Sequence, residues 1–143
     1  RQTFTVTLPG RGGWRVSLPL EGRIVETDQV ARTQHFSADI LKTVLRGEPV
    51  KTSVVLDESS LRGAKRAWLR VVLEDVADGE GVATVAGHEV KLPRVVTADN
   101  VCQIVDLPIE VSWLDATTPI EFAVSEGNHA GYRVDMTSVV LER

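Results

Sequence analysis

The chain has 143 residues, 43% of them hydrophobic and 25% charged, the size and composition of one globular domain with one core. A net charge of −4, with basic residues scattered among acidic ones, argues against nucleic acid as a partner, since binding phosphates needs a clustered basic face. No apolar run reaches the ~20 residues that span a bilayer, and the single cysteine, Cys102, excludes both an internal disulfide and a Cys-type zinc site.

Aromatic residues make up only 5%, so the core is built mainly of Val, Leu and Ile, which favours strands. Residues 2–8 alternate strictly, with Phe4, Val6 and Leu8 on one face and threonines on the other, and predict a half-buried strand. Gly10, Gly12 and Gly13 turn the chain; they open no helix and so are a loop rather than a phosphate cradle. Residues 14–20 alternate again, aligning Trp14 with Val16 and Leu18 as core. Residues 23–36 are mixed and polar, with a short strand around Ile24-Val25.

Ser37 to Gly47 has helical spacing at Ile40, Leu41, Val44 and Leu45, a capping Ser37 and a terminating Gly47, and predicts the one short helix. Val50 to Leu56 reads as a strand and 57–65 as a polar connection. Residues 67–93 hold a strand, a polar link, a second strand and a tight reversal at Ala86-Gly87. Residues 101–114 place Val105, Leu107, Ile109, Val111 and Trp113 on one face, with Pro108 marking an edge or bulge. Strands at 120–125 and 132–141 close the chain around the loop 126–131. About eight strands with regular turn signals and no βαβ alternation predict an all-β fold, an antiparallel β-sandwich of the jelly-roll kind. Residues 1–143 form a single domain; the chain starts at Arg1 rather than Met, and is read as a piece of a longer protein.

From Ala67 onward the order of features, AWLRVVLEDV, VATVAGHEVKLP, IVDLPIEVSWLDATTPIEFAV and YRVDMTSVVLE, resembles the galactose-binding-domain-like β-sandwich superfamily. Ala86 stands where such hairpins often carry Asn. The resemblance implies a carbohydrate-binding accessory domain of an exported polysaccharide-degrading protein, extracellular or periplasmic. It also implies a possible structural calcium, for which the sequence shows no oxygen-ligand cluster. No other cofactor is expected.

Catalytic spacings are absent: there is no nucleophile elbow, HExxH, P-loop, EF-hand or CxxC. Glu74 and Asp75 are adjacent and point to opposite faces, and Glu110 and Glu121 fit a solvated sheet face. His35, His88 and His129 share no ligand spacing. Sugar binding asks instead for an aromatic face flanked by polar groups. With Leu69, Val71 and Leu73 assigned to the core, Trp68, Arg70 and Glu74 fall together on the opposite face. The alternative is that a loop or the short helix covers Trp68. Asn128, His129 and Tyr132, at the last loop, complete the candidate ligand-binding set. Three functions remain open: a glycan-binding accessory module, a structural module packing against a neighbouring, possibly catalytic, domain, and, third, a small stand-alone hydrolase.

Overall fold

A computed structural model describes residues 4–7, 15–18, 31–39, 42–96, 102–127 and 129–143. The described residues are mostly strand. β1 (Phe4–Thr7) and β2 (Arg15–Leu18) pair antiparallel as a ribbon of their own. The expected strand at Ile24-Val25, and Trp14, lie outside the described residues.

The remaining strands are β3 (Arg32–Phe36), β4 (Lys42–Leu45), β5 (Val50–Val55), β6 (Arg66–Glu74), β7 (Gly81–Val85), β8 (His88–Lys91), β9 (Gln103–Ile109), β10 (Thr117–Val124) and β11 (Gly131–Glu142). They form two antiparallel sheets. One has the order β5-β10-β7-β8; the other has the order β3-β11-β6-β9, with β4 pairing beside β3 along the same edge of β11. The chain is thus an all-β sandwich, as its turn spacing predicts. β6 sits inside the five-stranded sheet, and its alternation is perfect: Ala67, Leu69, Val71 and Leu73 are buried while Trp68, Arg70, Val72 and Glu74 are only half-buried. The inward set meets Val54, Ala83, Val85, Ile120 and Phe122 of the other sheet in one core. Each such aliphatic side chain taken from water contributes roughly 1.5–3 kcal/mol. β9 is the edge strand beside β6, which is where Pro108 belongs, since it has no N–H for a further neighbour.

Several expectations are corrected. The helix expected over 37–47 is absent from its described part: Ser37 bridges to Val54, and Lys42–Leu45 is a strand on β11 with Val44 fully buried. Gly47, at φ +74°, forms the turn to Glu48 rather than a helix stop. The one α-helix among the described residues, α1 (Glu58–Gly63), lies in the stretch read as a polar connection. Asp57 caps it by accepting from the Ser60 amide at 3.0 Å, and Glu58 pairs with Arg62 one turn on. β9 stops at Ile109, and a 3-10 turn, Val111–Trp113, follows.

Two details fix the register. β11 is interrupted between Val134 and Met136, where Asp135 is an extra residue. The bulge reverses the parity, so Tyr132 and Val134 point inward before it, and Thr137, Val139 and Leu141 point inward after it. The second detail is Glu80, only 2% exposed, which ends the turn after Val76. Its carboxylate accepts from the Ala77 amide at 2.7 Å and the Gly131 amide at 2.7 Å, and its carbonyl accepts from Ser125. One buried side chain therefore ties the β6–β7 connection to the start of β11.

No helix among the described residues is long and apolar enough to cross a membrane.

Candidate functional site

The outer face of the five-stranded sheet follows from the strand pairing. In an antiparallel ladder, directly paired residues share a face and successive residues alternate. Trp68 therefore lies in a row with Gln34, Val140 and Pro108, and Arg70 in the next row with Phe36, Ser138 and Asp106. Beyond them stand Met136, Val72 and Ile104; on the other side of Trp68 stand Arg32, Glu142 and Arg66.

Trp68 is half-buried. The Arg32 guanidinium carbon stands 5.3 Å from its ring centroid, a cation–π distance. Arg32 is held there by donating from Nε to Glu142 Oε2 at 2.6 Å, while Arg66 Nε approaches Glu142 Oε1 at 3.5 Å. Beside Trp68, towards the sheet edge, a cleft of about 320 Å³ is lined by Lys65, Arg66, Trp68, Pro108, Glu110 and Ser112. Its walls combine an indole, a pyrrolidine, two cations, a carboxylate and a hydroxyl.

Arg70 is differently engaged. Its Nε and a terminal nitrogen donate to the two oxygens of Asp106 at 2.7 and 2.8 Å, a bidentate fork. The hydrogen bonds from Arg70 hold the Asp106 carboxyl below its ordinary range, and Asp106 in turn raises Arg70. Glu74, at the far end of β6, lies beside Asp135, and Arg133 reaches both, at 3.4 and 3.2 Å. A hydrogen bond with Asp135, followed by burial and the Asp135 charge, pushes the Glu74 carboxyl up despite Arg133.

The expected site residues do not all meet. Trp68, Arg70 and Glu74 share the outer face, but six steps along a strand at about 3.3 Å each place Glu74 ~20 Å from Trp68. His129 and Tyr132 belong to that distant end, and Asn128 lies outside the described residues. Tyr132, a candidate ligand-binding residue from its place at the last loop, lies instead in the core: it is 2% exposed, and its hydroxyl donates to the Ala123 carbonyl at 2.9 Å. Burial, with the nearby Glu80 charge, drives its pKa far up. The glycine before it starts the strand, and the Asp135 bulge sets its inward parity. Trp113 packs partly against the core, from the 3-10 turn rather than from the strand its spacing predicts, and also stacks on His88, centroids 4.3 Å apart and nearly parallel.

Lys65, Arg66, Pro108, Glu110 and Ser112, and Arg32 above the ring, are the residues that sequence reasoning leaves out. Arg66 carried a signal, since it has the same parity as Trp68 and Arg70. The others depend on the pairing of β6 with β9 and of β11 with β3, which connects residues far apart in the chain. A larger cleft, about 450 Å³, on the other sheet is lined by Gly79, Val82, Glu89, Lys91, Leu92 and neighbours, and has no aromatic wall. Among the described residues no group of three or more His, Cys, Asp or Glu side chains is placed to hold a metal ion.

No family model and no curated protein matches the chain. Solved structures do. A glycoside hydrolase family 86 protein in complex with neoagarooctaose superposes with a TM-score of 0.60 at 15% identity, over 78% of this chain and 18% of that one, in wild-type and variant form alike. A β-porphyranase of the same family from the human gut bacterium Bacteroides plebeius gives 0.62 at 19% identity, over 80% of this chain and 21% of that one. At this identity the likeness is one of fold. The chain spans about a fifth of the length of these solved chains.

Proposed function

We propose that the protein is a non-catalytic carbohydrate-binding module of an exported polysaccharide-active protein, with its ligand on the outer face of the five-stranded sheet at Trp68. The observation that carries the reading is the cleft beside that indole, in which an apolar wall of Trp68 and Pro108 adjoins Lys65, Arg66, Glu110 and Ser112. A pyranose has an apolar C–H face and a rim of hydroxyls, and such a cleft offers a surface for the first and donors and acceptors for the second. Arg32 now stands at the ring. It is anchored there by an ion pair to the nearly buried Glu142 and by a cation–π contact, so it stands at the rim of the cleft as a further donor. Binding of this kind needs no proton transfer and no metal.

The fold shared with part of the family 86 glycoside hydrolases, and the galactose-binding-like order of features, support a module that works beside a catalytic domain, outside the cytoplasm. Galactans are the first ligands to try. In affinity electrophoresis through agarose and other galactans the wild type is retarded, and Trp68→Ala loses most of the retardation. Free migration of the wild type on every polysaccharide would refute the proposal.

A second reading rests on a different part of the same face. Phe36, Ile104 and Met136 are 55%, 65% and 41% exposed, and with Val72 they form an apolar band on its outer surface. A structural module packing against a neighbouring domain would use that band. Substituting Phe36 and Ile104 would then weaken domain association and leave glycan retention unchanged.

A further inference from the structure

We infer that the Trp68 cleft selects glycans bearing an anionic substituent, a sulfate ester or a carboxylate, over neutral ones. The inference rests on the glycan-binding reading and narrows its ligand class. The chain as a whole carries a net charge of −4, yet three of its basic side chains, Arg32, Lys65 and Arg66, gather around Trp68. Arg32 lies over the indole, and Lys65 and Arg66 line the cleft.

The state of the two nearby carboxylates decides what those cations can do. Glu142 has a side chain only 6% exposed, wedged between Arg32 and Arg66, which are 60% and 71% exposed. It orients both guanidinium groups but is itself withdrawn from solvent. Both arginines address it through Nε. A guanidinium carries five N–H donors in a planar fork. The terminal nitrogens of Arg32 and Arg66 make no hydrogen bond among the described residues, so the edge of each fork that matches an oxyanion is unused. Exposed Lys65 forms no ion pair among the described residues. Glu110 is the one carboxylate at the cleft itself, set to accept from a sugar hydroxyl.

Arg70 makes the contrast. It shares the face but is committed in bidentate fashion to Asp106, so it adds no donor pair for an anion. The larger cleft on the other sheet is lined by Asp78, Glu89 and Glu126 against Lys91 alone, the opposite balance.

The test uses one galactan in two forms, naturally sulfated and chemically desulfated, measured by titration calorimetry in low salt and again in 0.5 M NaCl. The sulfated form is expected to bind about tenfold or more tightly in low salt, as one or two charge-assisted hydrogen bonds would give, with the preference shrinking in high salt. Lys65→Gln with Arg66→Gln should abolish the preference, and Lys51→Gln, on the other sheet, should keep it. Equal affinity for both forms overturns the anion selectivity and leaves the glycan reading standing. Binding to neither form overturns both. Competition by polyglutamate as effective as by the sulfated galactan also overturns the inference, because charge without a sugar would then suffice. The comparison of the two galactan forms on the wild type holds even if the double variant fails to fold.

Discussion

Glu80 should be among the costliest polar side chains to remove. Its carboxylate is 2% exposed and accepts two backbone amides at 2.7 Å, from Ala77 in the β6–β7 connection and Gly131 at the start of β11. In Glu80→Ala both amides lose a charged acceptor inside the protein. Each orphaned donor costs about 1–3 kcal/mol, so the pair amounts to roughly 2–6 kcal/mol, less if a water enters the space. Glu80→Gln keeps the volume but offers only one accepting oxygen, so it should cost about half as much. At ~3–4 °C of melting temperature per kcal/mol for a chain of this length, Glu80→Ala should melt roughly 6–24 °C below the wild type. Thermal unfolding by circular dichroism and urea titration measure both variants. A Glu80→Ala midpoint within ~3 °C of the wild type, or a Glu80→Gln variant worse than the alanine, would refute the argument that the two amide contacts hold this region.

Three further outcomes follow from local geometry. Ala86 and Gly87 have φ values of +47° and +86°, the left-handed pair that a two-residue hairpin loop demands, so Ala86→Asn should stabilise the protein by about 1 kcal/mol, read as a rise of ~3 °C in melting temperature. Asp106 has its folded pKa below the unfolded value, so its pairing with Arg70 stabilises above the ordinary Asp range and is lost as pH falls through the folded pKa. With the two side chains 32% and 42% exposed, the effect is at most about 1 kcal/mol, and the gap between wild type and Asp106→Asn should close as pH falls below the ordinary aspartate range and shrink in salt. Glu74 has the opposite sign: its folded pKa is raised, so the stability it contributes is complete below the ordinary glutamate range and is lost as pH rises through the folded value. Glu74→Gln should therefore raise the melting temperature at pH 7 and leave it unchanged near pH 4.

The sandwich was legible wherever side-chain alternation carries hydrophobic contrast. β6 is the clearest case, because four inward aliphatics alternate with an outward set that includes Arg66, Arg70 and Glu74, and its outward tryptophan could be assigned at once. β3 was not legible, since its inward positions, Thr33 and His35, are polar and give no period-two apolar signal. β4 has one buried residue, Val44, in a run whose apolar spacing also fits a helix, and only pairing with β11 decides between the two. The Asp135 bulge turned Tyr132 into the core, and local alternation cannot reveal an inserted residue before the partner strand is known. The candidate site was legible only in part: the shared face of Trp68 and Arg70 follows from parity within one strand. The cleft that joins Lys65 to Glu110, and the hold of Glu142 on Arg32 and Arg66, arise from pairings between distant strands.

The most direct measurement of the central claim is a titration of 15N-labelled protein with galactan oligosaccharides, followed by the amide resonances. The account predicts shifts concentrated at residues 65–70 and 109–112, together with Arg32, and absent from the four-stranded sheet. Shifts clustered around Gly79, Glu89 and Lys91, or no shifts with any oligosaccharide, would contradict it.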